Sequence, residues 1–194
     1  MKRLLILLLA LCGGAQAANH YIRDGGTAST GGTGACTNWN TANACDALPA
    51  TLVSGDTYYF ADGTYSSWSG GGGAIEVPVT IKKCSASDHG TETGYVATYC
   101  DGQAVYSGQF NLGGGASGTI IDGAYRNETD WGDTNAYGFR SNGVYSNRLS
   151  SGACADNITV KYLNVGLTDN TTVGGSVEDQ PIYLGGFVSS GSQM

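Results

Sequence analysis

The sequence predicts an all-β solenoid of stacked parallel strands, and three observations carry that reading. Gly takes 32 of 194 positions while Pro takes only 3, so neither long helices nor a proline-rich linker fits the composition. Short β-prone runs, each only a few residues long, are separated by clusters of Gly, Asn, Asp and Ser. Apolar residues recur roughly every twenty positions through Phe60, Ile81, Val105, Ile121, Phe139, Val160 and Ile182, the mark of coils that bury a face only when stacked. Within the series, Val79 to Lys82, Thr119 to Asp122 and Ile158 to Lys161 superpose at steps of 40 and 39. A β-sandwich of antiparallel strands is the competing architecture.

The elements follow in chain order. Lys2 and Arg3 precede the apolar run from Leu4 to Leu11, and Ala15-Gln16-Ala17 supplies an A-x-A cleavage site. Residues 1–17 therefore read as a secretory signal peptide, too short to span a membrane. Lipidation of Cys12 is the rival, disfavoured because Leu11 is bulky where a small residue is preferred. Residues 18–39 form an N-terminal loop region, with Gly25 to Gly34 lacking any periodicity. Asn40 or Thr41 caps a short helix carrying Ala44, Leu48 and Leu52 on one stripe, shortened by Pro49. Residues 40–194 then make the solenoid domain. Its last run is still in register shortly before Met194 and carries no cap, which predicts a chain continuing past that point.

Charge and cysteine content narrow the function classes. Charged residues are 13% of the chain, about half the usual share of roughly 25%. Nine cations face sixteen carboxylates, net −7, and cleavage after Ala17 removes Lys2 and Arg3, leaving −9. That balance repels phosphate backbones and anionic lipid, so neither nucleic acid nor membrane is a partner. Of five cysteines left after cleavage, Cys36–Cys45 and Cys84–Cys100 are the natural bridges in an oxidising compartment, extracellular or periplasmic. Cys154 is left over. No CxxC occurs, and His20 and His89 stand alone, so zinc is a poor alternative.

The stretch Leu48 to Tyr65 contains Gly55-Asp56-Thr57, an apolar strand, then Asp62-Gly63-Thr64-Tyr65. It resembles the N-terminal part of right-handed parallel β-helix proteins of the pectate-lyase-like superfamily, where a capping helix precedes this pattern. Ile120-Ile121-Asp122-Gly123 and Asn157-Ile158-Thr159-Val160 are similar to its recurring coil motifs. The resemblance spans roughly residues 48–187 and implies a right-handed parallel β-helix, incomplete at its C-terminus. Its activity is left open, because the architecture serves lyases, hydrolases, epimerases, tailspikes and adhesins.

If Ile81, Ile121, Phe139 and Val160 point inward, strand alternation turns Lys82, Asp122, Arg140 and Lys161 outward, with Tyr106 and Tyr183 in the same register. Such a ridge suits a polysaccharide: cations hold carboxylates, aromatic rings stack on sugars, and Asp122 offers a ligand for Ca2+. The resemblance implies uronate β-elimination, in which Arg140 or Lys161 takes the C5 proton while a cation neutralises the adjacent carboxylate. Lys82, Tyr106 and Tyr183 are then substrate contacts. The alternatives are a non-catalytic carbohydrate-binding or adhesin-type protein, monomeric, and a purely structural solenoid whose outward charges are merely solvated. Asp130 and Asp133 fall in a loop. Gly70 to Gly73 and Gly113 to Gly115 lack the Gly-Lys-Ser/Thr of a phosphate loop. Asn127, Asn157 and Asn170 head glycosylation sequons.

Overall fold

A computed structural model describes residues 16–28, 35–65, 74–91, 93–106, 110–125, 129, 137–141, 149–151, 156–165 and 182–184. Among the described residues, twelve strands of three or four residues fall into three parallel sheets. The first orders β1 (Asn19–Ile22), β2 (Thr57–Phe60), β4 (Thr80–Lys83), β7 (Ile120–Asp122) and β10 (Thr159–Lys161). The second orders β3 (Gly63–Tyr65), β5 (Ala104–Tyr106), β8 (Phe139–Ser141) and β11 (Leu163–Val165). The third holds β6 (Phe110–Leu112), β9 (Leu149–Ser151) and β12 (Ile182–Leu184). Short single-turn 3-10 segments lie at Ala97–Tyr99 and Gly114–Ala116.

The right-handed parallel β-helix with a capping helix is corrected by this arrangement. The strands make separate sheets of five, four and three members; no α-helix occurs among the described residues, and a solenoid is not shown. The physical reason lies in the register. Tyr58, Ile81, Ile121 and Val160 are direct partners in the first sheet, so the recurrence there is 23, then 40 and 39 residues. Phe60 pairs with Lys83, Phe139 with Ala104 and Leu163 in the second sheet, and Ile182 with Leu149 in the third. The twenty-residue series merged positions from three sheets.

The expected helix after Asn40 fails for a local reason. Ala44 N–H donates to the Asn40 carbonyl as one helical turn would, but Cys45 N–H donates to Tyr21 and the Cys45 carbonyl accepts Arg23 N–H. Cys45 is also tied to Cys36, so β1 captures the backbone that a second turn would need. Short polar residues such as Thr41, Asn43 and Asp46 give that turn little propensity to resist.

β3 opens at Gly63, where φ is +143° and an added Cβ would approach Asp24 Cβ to 2.7 Å. Only glycine suits both demands. The main core draws on all three sheets: Ile22, Tyr58, Phe60, Tyr65, Ile81, Ala104, Leu112, Ile121 and Phe139 are buried together. Phe60 meets Tyr65 and Phe139 edge-on, at 5.2 and 5.8 Å between ring centroids. A second cluster packs Tyr21, Trp39, Tyr59, Ala61, Cys84 and Cys100. Both expected bridges are present, Cys36–Cys45 and Cys84–Cys100. No helix among the described residues is long and apolar enough to cross a membrane. The expectations placed on residues 4–11, Cys12, Gly70 to Gly73, Asn127, Asp130, Asp133, Cys154, Asn170 and 185–194 lie outside the described residues.

Candidate functional site

On the first sheet, alternation turns Tyr58, Ile81 and Ile121 to the core and leaves Tyr21, Tyr59, Lys82, Asp122 and Lys161 as one in-register row. Its N-terminal end is covered. Trp39 sits 4.9 Å from the Tyr21 ring and donates its indole N–H to the His89 carbonyl, while Tyr21 stacks on Tyr59 at 6.2 Å. The open end begins at Lys82, whose ammonium pairs with Asp88, and Asp88 also accepts the Tyr59 hydroxyl at 2.9 Å. Asp122 is 7% exposed. Its Oδ1 accepts Ala124 N–H at 2.8 Å and its Oδ2 pairs with Lys161 Nζ at 3.0 Å. The Lys161 side chain is 46% exposed and its Nζ lies 5.8 Å from the Tyr162 ring centre.

The other candidates do not join this row. Arg140 lies on β8 in the second sheet, between Val105 and Asn164. Tyr106 is two residues further along in register terms than Ala104, opposite Tyr65 and Ser141, and so shares the register of a buried residue rather than that of Arg140. Tyr183 belongs to the third sheet, opposite Ser150. The single charged ridge is thus three separate rows, and the first sheet keeps only Lys82, Asp122 and Lys161.

Chemically, this row offers alternating donors and acceptors with the charges compensated in pairs. Lys161 Nζ is engaged by the Asp122 carboxylate at 3.0 Å, whereas a base that abstracts a proton from a sugar carbon must face the substrate. Each Asp122 oxygen has one protein partner, and a calcium shell takes six to eight oxygens. Among the described residues no group of three or more His, Cys, Asp or Glu side chains is arranged to hold a metal.

Sequence reasoning missed a second cluster behind the same strand. Lys83 is 0% exposed, on the core face opposite Phe60. Its ammonium lies 2.6 Å from Asp62 Oδ1 and donates to the Cys84 carbonyl at 3.1 Å. Asp62 Oδ2 accepts Gly102 N–H at 2.5 Å, and Tyr125 donates its hydroxyl to the Gly102 carbonyl at 2.5 Å. Burial pushes the Asp62 carboxyl up, against the lowering effect of Lys83, and pushes the Lys83 amine down. Burial likewise drives the Tyr125 phenol up to about 12, helped by the nearby Asp62 and Asp101 charges. The signal was available: two consecutive lysines in a strand cannot both face outward, and Ile81 already assigns the inward phase.

A third buried polar group lies at the start of β1. His20 Nε2 meets Asp56 Oδ2 at 2.8 Å, its Nδ1 meets the Ala35 carbonyl at 2.9 Å, and the ring stacks on Tyr58 at 4.6 Å. Asp56 Oδ1 accepts Ala18 N–H at 2.8 Å. His20 is therefore a buried, satisfied structural residue.

Comparison with protein-family models, with curated proteins and with solved structures finds no match for this chain.

Proposed function

We infer that this is an exported, disulfide-bonded protein that binds a hydroxyl-rich polysaccharide along the open end of the first-sheet row without cleaving it. The observation that carries the reading is the in-register sequence Lys82, Asp122, Lys161, each lysine compensated by a carboxylate. Neighbouring positions in such a row are about 4.8 Å apart, a ladder of fixed donors and acceptors. Sugar hydroxyls both donate and accept, so they match paired charges better than a uronate carboxylate does. The same pairing turns Lys161 Nζ toward Asp122, where β-elimination needs a base facing the substrate. Two disulfides support export.

Affinity electrophoresis of the full chain through a neutral β-glucan and through polygalacturonate tests this. Retardation in the neutral gel is expected, with no reducing ends or unsaturated products released. Lys82→Ala with Lys161→Ala should weaken retention roughly tenfold, at about 0.7 kcal/mol per exposed contact. Added salt should have little effect, because compensated pairs present no net field. Retention by polygalacturonate alone would restore a uronate reading, product release would make the protein an enzyme, and no retention in either gel would leave only a structural role.

A further inference from the structure

We propose that Lys83 and Asp62 become joined by an amide bond between Nζ and Cγ, an autocatalytic cross-link between β4 and the β2–β3 turn. The cross-link is independent of the glycan reading, because it lies on the core side of β4.

The geometry places a nucleophile and an acyl group in enforced contact. Lys83 Nζ is 2.6 Å from Asp62 Oδ1, and that oxygen is itself buried. The lysine stem is fully buried, and Gly138 leaves it room: a Cβ there would stand 3.0 Å from Lys83 Cγ. The Asp62 side chain is 20% exposed, so a released water has a way out. Such fixed proximity supplies much of the barrier that free amine and acid in water cannot surmount.

The protonation states favour the same outcome. Desolvation lowers the amine and raises the carboxyl, so the buried pair shifts toward neutral amine and neutral acid, the two species that condense. Asp101 hydrogen-bonds the Asp62 carboxyl and is itself exposed, a route for protons between the cluster and solvent. Gly102 N–H, on Asp62 Oδ2 at 2.5 Å, is set to hold the charge that develops on that oxygen. Tyr125 fixes the Gly102 peptide from its carbonyl side.

The balance is a condensation with no change of oxidation state. The Lys83 lone pair forms the N–C bond to Asp62 Cγ, and one proton leaves nitrogen through Asp101. The C–Oδ1 bond breaks as that oxygen takes up the proton and departs as water. Amine plus acid gives amide plus water. A neutral amide then replaces an amine and an acid whose charged forms are costly in the interior.

Mass spectrometry of the exported full chain, with its disulfides reduced and alkylated, decides the matter. The expected mass is one water below that of its own sequence. Digestion with trypsin should leave Lys83 uncut and yield a branched peptide joining the Asp62 and Lys83 segments. Asp62-Gly63 also dehydrates to a succinimide, which alkaline hydroxylamine opens while leaving an amide intact. Lys83→Gln should abolish the deficit and Asp101→Ala should leave most chains unlinked. A full mass, or a deficit that survives Lys83→Gln or disappears with hydroxylamine, overturns the proposal. Should the variants fail to fold, the presence or absence of the branched peptide in the unsubstituted protein decides it alone.

Discussion

Ile121 and Val160 are direct register partners in adjacent strands, yet Ile121 is fully buried and Val160 is 37% exposed. Their apolar character is equal in kind and unequal in worth. Ile121→Ala removes methyl groups from a packed core and should destabilise by about 2–5 kcal/mol, whereas Val160→Ala should change stability by about 0.5 kcal/mol or less. Chemical denaturation of the two variants checks the contrast, and equal losses would contradict the burial assigned to β10. Asp122 shows the same lesson with reversed sign. Alternation alone turns it outward, but its carboxylate is nearly buried and holds Ala124 N–H on one oxygen and Lys161 on the other.

At the scale of the element, β4 makes period-two logic concrete. Thr80 and Lys82 are half-buried while Ile81 and Lys83 are buried, so the strand spends one lysine on the outer row and one on the core. The cost of the inward lysine is met by Asp62 and by the Cys84 carbonyl. The adjoining disulfide, Cys84–Cys100, spans 16 residues and fixes the end of β4 to the turn at Ala97–Tyr99. Cys36–Cys45 spans 9 and holds the segment after Asn40 against β1. Replacing either pair with Ala should lower unfolding free energy by about 2–3 kcal/mol, somewhat more for the longer loop. Denaturant midpoints for each double variant test that order. The sequence spacing was enough to choose these pairings; nothing in it showed that Cys45 would also spend its backbone groups on β1.

For the whole molecule, desolvation raises the phenols of Tyr58, Tyr59, Tyr65 and Tyr125, with Tyr125 reaching about 12. A phenol whose folded pKa exceeds its ordinary value near 10 holds its proton more firmly in the fold than in the unfolded chain. Stability from these groups is therefore complete below about pH 10 and is lost as pH rises through the folded values. Phenolate absorbance and circular dichroism should show these four tyrosines ionising together with loss of structure. Ordinary titration of all twelve with the fold intact would contradict the buried placement.

Local composition and spacing sufficed for the parallel-prone strands, the two disulfides, and the steps of 40 and 39 that bring Ile81, Ile121 and Val160 into partnership. These are properties of short segments, set by β propensity, turn residues and alternation. Which sheet a strand joins is a different kind of fact. Arg140, Tyr106 and Tyr183 sit at plausible intervals along the chain, but pairing with a neighbour in space puts them in other rows. The helix lost to β1 and the meeting of Lys83 with Asp62, 21 residues away in sequence, were likewise decided by tertiary contact. Backbone hydrogen bonds and buried charges take whichever partner the assembled interior supplies, and one-dimensional spacing does not specify that partner.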